Sequence, residues 1–94
     1  MNKNQIETRL QQYLETEVLE NRDIGLSPHT PLLELGLLNS MEISGLLAFV
    51  RRELGVTIRP DAVTGPRFHS IESIARTIVE CSIRDEATAG EQTR

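Results

Sequence analysis

Residues 35–43 read Leu-Gly-Leu-Leu-Asn-Ser-Met-Glu-Ile, and this stretch decides how the chain folds. Asn39 carries a side-chain oxygen suited to the unpaired N–H groups of a first helical turn. A helix is therefore predicted from Ser40 to about residue 54, where Gly55 stops it. At about 100° per residue, Ile43, Leu46, Leu47, Val50 and Leu54 share one apolar arc. Ser40, Ser44, Ala48 and Arg51 lie together beyond one edge of that arc, with Met41 nearby. A flat strip of small residues beside a methionine suits a docking surface. It suits a plain solvated face equally well.

Upstream, Ile6, Leu10, Tyr13, Leu14 and Val18 recur at spacings of three and four, which predicts an amphipathic helix over about 4–19. Glu17 falls inside that stripe and marks where the helix leaves the core. A long connection, about 20–39, is punctuated by Gly25, Pro28, Pro31 and Gly36. Connections of this length in a compact domain carry function or a short element of their own. Thr30-Pro31 ahead of Leu32, Leu33 and Leu35 reads as a capped single turn closed by Gly36, with the leucines pinning the loop to the core.

Downstream, Val56-Thr57-Ile58 is too short to imply a sheet. Residues 61–64 are compatible with one helical turn before Gly65-Pro66 breaks it. Ser70 is a good N-cap for a last long helix to about residue 83, with Ile71, Ile74, Ala75, Ile78 and Val79 as its apolar stripe. The segment 85–94 has little to bury and reads as a disordered tail after a domain spanning 1–84. The expected fold is all-α: a small four-helix bundle of three long helices and one short one.

A chain of 94 residues has room for one core. Cys81 is the single cysteine and cannot form an internal bridge, which favours a reducing compartment. The first residues lack the apolar region of a secretory signal, and no segment approaches a membrane span; a cytoplasmic protein is expected. The net charge is −4 and the pI about 5.1. Ten basic residues are scattered, only Arg51 and Arg52 adjoining, and the aromatics are Tyr13, Phe49 and Phe68 alone. That pattern argues against nucleic-acid binding, which needs a basic face and stacking platforms.

No catalytic constellation or metal site can be assembled. His29 and His69 stand far apart outside any ligand-spaced cluster, and Cys81 reads as a small buried hydrophobe. Ser40 remains. A helix N-terminus offers free N–H groups and partial positive charge, so a phosphate ester on a serine there is well placed. Spacing alone favours the plainer reading of Ser40 as the first residue of a helix.

Leu35-Gly36, a short gap, then Asn39-Ser40-Met41 resembles the signature of the acyl carrier and peptidyl carrier protein family, in which Leu-Gly precedes Asp-Ser-Leu at the head of the second helix. The resemblance extends over about 6–83, through Glu53-Leu54-Gly55-Val56 and the Phe68-His69-Ser70-Ile71 lead into the last helix. It implies a free-standing, non-enzymatic, monomeric carrier with 4′-phosphopantetheine attached at Ser40 by a phosphopantetheinyl transferase from coenzyme A. The arm's thiol would hold an acyl or aminoacyl group as a thioester. Partner surfaces would map to Asn39, Met41, Ser44, Ala48 and Arg51. Expected partners are that transferase, an activating ligase or acyltransferase, and a downstream synthase in a polyketide or nonribosomal-type pathway.

Two positions depart from the pattern. Asn39 keeps the cap but removes a negative charge, and Met41 nearly conserves the volume of leucine. Gly-Leu-Leu-Asn-Ser-Met is similar to the corresponding stretch of D-alanyl carrier proteins. Arg51 and Arg52 place positive charge where carriers commonly show acid, which points to particular partners. The competing readings are an unmodified helical adaptor with the same fold and, disfavoured by charge, a small DNA-binding domain.

Overall fold

A computed structural model describes residues 2–21 and 24–92, with side-chain surroundings as far as Ser82. Three helices form the fold: α1 (Lys3–Tyr13), α2 (Ser40–Phe49) and α3 (Ile71–Gln92). The first two each run on into a wider, π-type turn, Leu14–Val18 and Val50–Leu54, so the predicted spans 4–19 and 40–54 are filled. Gly55 ends the second of these in the left-handed conformation (φ +69°), which a side chain would strain. Residues 56–58 carry no strand, and the short fourth element is one 3₁₀ turn, Pro60–Ala62.

Each helix starts where a polar side chain meets its first free N–H groups. Asn2 Oδ1 accepts from Gln5 N while Gln5 Oε1 accepts from Asn2 N, a reciprocal box at the head of α1. Ser70 Oγ accepts from Ser73 N at 3.2 Å and starts α3. No glycine or proline stands between Ile83 and Gly90, and alanine and glutamate are good helix formers. The helix end expected near that residue therefore lies inside α3, whose backbone is helical to Gln92. The tail read over 85–94 falls outside the residues whose side chains are described.

The apolar stripes meet as their periodicity requires. Ile6, Leu10 and Leu14 pack with Ile71, Ile74, Ala75 and Ile78, while Leu46 and Val50 join from α2 and Leu32, Leu38, Val56, Ile58 and Phe68 from the connections. Burying each of these larger side chains stabilises by about 1.5–3 kcal/mol. Thr77, buried on α3, satisfies its hydroxyl on Ser73 O. Lys3 Nζ reaches Glu72 at 2.6 Å and Arg76 Nη2 reaches the same carboxylate at 2.6 Å, tying the start of α1 to α3. These donors, Lys3 first and then Arg76, hold the Glu72 carboxyl down at about 2. Among the described residues, no helix is long and apolar enough to cross a membrane.

Candidate functional site

The long connection is held on both sides and delivers Ser40 to the surface. Leu32 N donates to His69 O, and Glu72 N donates to Pro28 O, so the loop is stitched to the head of α3. Leu32 is buried and Leu33 half-buried, so these two pin the loop as expected, but Leu35 is exposed and does not; Leu37, half-buried, and Leu38, buried, hold the loop in its place. Gly36, at φ +70°, turns the chain, and Leu37 N closes the turn on Leu32 O at 2.9 Å. Thr30 does not cap this turn as its sequence position suggested. Its hydroxyl accepts from Ser27 N at 2.8 Å, so it organises the residues before it.

Past Leu38 the backbone of Asn39 is extended, and its Oδ1 accepts from Glu42 N at 3.0 Å. That leaves Ser40 as the first residue of α2, exposed, with its side chain beside the free end of the helix. Met41 is 81% exposed and Leu35 56%, so two apolar side chains stand bare in the sequence on either side of the serine.

Farther along α2, Ser44, Ala48 and Arg51 are exposed. The structure thus brings Ser40, Ser44, Ala48 and Arg51 onto one outward strip of the helix, with Asn39 and Met41 at its head. An open groove of about 280 Å³ runs beside the strip, lined by Ser44, Leu47, Ala48, Arg51, Thr57 and Ile58. Arg52 pairs with Glu53 at 3.2 Å, whereas among the described residues no carboxylate pairs with Arg51. The groove was not foreseen, because its second wall comes from residues whose sequence shows no regular element.

The remaining candidates stay apart. His69 faces Glu34 at 3.6 Å, while the backbone N–H of His29 donates to Ser27 Oγ. Cys81 is buried, as its place on the apolar stripe predicted. Among the described residues there is no group of side chains able to hold a metal ion. Between α1 and α2, the rings of Tyr13 and Phe49 meet at 4.5 Å, and a Cβ on Gly45 would come within 2.9 Å of the Tyr13 hydroxyl. Gly45 therefore leaves room for the Tyr13 hydroxyl, a close fit that nothing in the local pattern announced. Burial, and secondarily Glu17, raises the Tyr13 hydroxyl's pKa.

Comparison with known proteins gives this geometry its class. The family model described as "Phosphopantetheine attachment site" matches residues 6–78, and the chain belongs to that family. The probable acyl carrier protein PigG of Serratia sp. (strain ATCC 39006) is 29% identical over 73 residues, covering 78% of this chain and 84% of PigG. A chain in the structure described as "Crystal structure of FAD-dependent dehydrogenase" matches with a TM-score of 0.70 and 30% identity, covering 73% of this chain and 97% of that one. The protein is thus an acyl-carrier-type carrier and not an enzyme, of a family that bears covalently attached 4′-phosphopantetheine. Such carriers work with phosphopantetheinyl transferases and synthase enzymes. An exposed hydroxyl at a capped helix N-terminus fits the group, since a phosphodiester there meets unpaired N–H donors.

Proposed function

We propose that Ser40 is the attachment residue and that the protein is a discrete carrier acting in trans in polyketide or nonribosomal-type biosynthesis. The observation that carries this reading is the Ser40 hydroxyl itself: exposed, first in α2, and directly after the Asn39 cap. In the transfer, the Ser40 oxygen bonds to the phosphorus bearing the pantetheine half of coenzyme A. The pyrophosphate bond breaks, adenosine bisphosphate leaves, and the hydroxyl proton passes to a base of the transferase. Asn39 caps the turn that presents the serine, and Asn39 and Met41 are read by the transferase. Once attached, the arm's thiol carries an acyl or aminoacyl group as a thioester.

An activating ligase or acyltransferase loads that thiol, and the exposed side of α2 (Met41, Ser44, Ala48 and Arg51) meets it. The match to a chain in a structure described as a FAD-dependent dehydrogenase adds one partner class. Covering 73% of 94 residues and 97% of that chain implies a matched chain of about 70 residues, the size of one small domain. A flavin-dependent dehydrogenase that oxidises the tethered acyl group is therefore a proposed downstream enzyme. A cytoplasmic monomer, able to visit each enzyme in turn, suits this work.

The test is intact-mass measurement of the protein after incubation with coenzyme A and a broad-specificity phosphopantetheinyl transferase. Wild type is expected to gain the mass of one arm and Ser40→Ala to gain none. No gain in wild type, or an equal gain in the alanine variant, rejects Ser40 as the attachment point.

A further inference from the structure

We infer that the groove beside α2 receives the arm folded back along the helix, and that Arg51 at its far end selects acyl groups ending in a carboxylate. This rests on the attachment reading for Ser40 and deepens it by naming a cargo class.

The first support is alignment. At about 100° per residue, Ser40, Ser44, Leu47 and Arg51 fall within about 60° of one line along α2. The groove opens on that line, with Ser44, Leu47, Ala48 and Arg51 on one wall and Thr57 and Ile58 on the other. It therefore starts one turn beyond the attachment residue and continues in the direction an arm lying on the helix would take.

The second support is length. Arg51 lies eleven positions beyond Ser40, which at about 1.5 Å per residue is about 16 Å. From the Ser40 Cα to the sulfur the arm has about sixteen bonds, and an extended chain covers about 3.5 Å per three bonds. Its reach is then on the order of 18 Å, so a nearly extended arm sets the thioester at the level of Arg51. The groove's two alcohols, two apolar side chains and alanine suit an arm that alternates amides with short alkyl links.

Charge decides the cargo. The chain has a net charge of −4, yet among the described residues no acidic side chain lines the groove. Its one charged group is the Arg51 guanidinium, exposed and without a carboxylate partner among the described residues. A carboxylate at the end of a short acyl chain meets a planar donor pair there and no lining acid to repel it. An apolar acyl group gains nothing from Arg51, and an ammonium is repelled.

The experiment loads ¹⁵N-labelled wild type and Arg51→Gln with succinyl-phosphopantetheine and butyryl-phosphopantetheine from the corresponding coenzyme A thioesters, with intact mass confirming each product. Amide shifts relative to the unloaded protein are then compared. Succinyl-loaded wild type is expected to shift at Ser44, Ala48, Thr57 and Ile58. Those shifts should fall to the butyryl level in Arg51→Gln and in high salt. Equal groove shifts for succinyl and butyryl forms overturn the selection by Arg51. Shifts confined to 39–41 in every form overturn the seat altogether and leave the groove to an acidic partner surface. Failure of wild type to load is seen in the mass alone; it overturns the attachment reading, and this inference with it.

Discussion

α2 and α3 are both amphipathic helices led in by a polar cap, yet they spend their surfaces differently. α3 buries Ile71, Ile74, Ala75, Thr77, Ile78 and Cys81. α2 with its terminal turn fully buries Leu46 and Val50, holding Ile43, Leu47 and Leu54 half-covered and leaving Met41 almost bare. One helix is the axis of the core, and the other is a platform clamped to it along one edge. A carrier needs both. The platform must keep the serine and its flank free for several enzymes, and the axis must supply the stability that the platform forgoes.

The hardest way to break this contrast is to cut the axis. Ile74→Ala removes a fully buried side chain from the middle of the core, and we expect a loss of about 2–5 kcal/mol in urea unfolding. A loss under about 1 kcal/mol would mean that α2 carries more of the stability than its burial implies. Cutting the platform's cap is milder. Asn39→Ala deletes the oxygen that accepts from Glu42 N and should cost about 1 kcal/mol. Asn39→Asp keeps an acceptor in the same place, so it should hold stability and remain a substrate for the transferase in the mass assay. Complete loss of modification in the aspartate variant would mean that Asn39 does more than cap.

The axis was the more legible of the two in the sequence. Ile71, Ile74, Ala75 and Ile78 state their burial by spacing alone, because a stripe at helical period has few other uses. The platform's head was legible in the same way, since Asn39 and Gly55 bound α2 where caps and left-handed glycines belong. The site itself was not. Ser40 as the start of a helix follows from the pattern, but its attachment role came only from resemblance, because a helix-opening serine is common for reasons of capping alone. The groove wall at Thr57 and Ile58, the fit of Gly45 against Tyr13 and the upstream use of Thr30 all depend on contacts between segments distant in sequence or on loop geometry. Periodicity cannot report either.

A smaller effect separates the two ends of the axis by pH. The Lys3–Glu72–Arg76 cluster lies where α1 meets α3. Because Lys3 and Arg76 depress the Glu72 carboxyl from 4.5 to about 2, its contribution is complete above pH 4.5 and is lost as pH falls through about 2. Glu72→Gln should therefore destabilise by a few tenths of a kcal/mol at neutral pH, as solvent-screened pairs do. The gap from wild type should narrow across that acid window in thermal unfolding. A gap that stays constant from pH 7 to pH 3 would show that packing of the side chain, and not its charge, supplies the effect.

The smallest expected effect on stability is the sharpest test of the contrast. Met41 is 81% exposed in the first turn of α2 and belongs to no part of the buried core. Met41→Ala removes an apolar side chain that the folded chain does not use, so its unfolding free energy should move by less than about 0.5 kcal/mol. Its exposure is explained if an enzyme covers it during transfer to Ser40. Removing a centrally buried interface contact commonly costs more than about 1 kcal/mol, or about fivefold in a specificity constant. The transferase's kcat/KM for the alanine variant should drop by about that factor, with most of the change in KM because the contact is made on docking. Equal kcat/KM for the two proteins would leave Met41 as an ordinary exposed side chain. A large loss of folding stability would instead place it in the core, against its exposure. The split sought is full stability with slowed loading, which a purely structural residue does not produce.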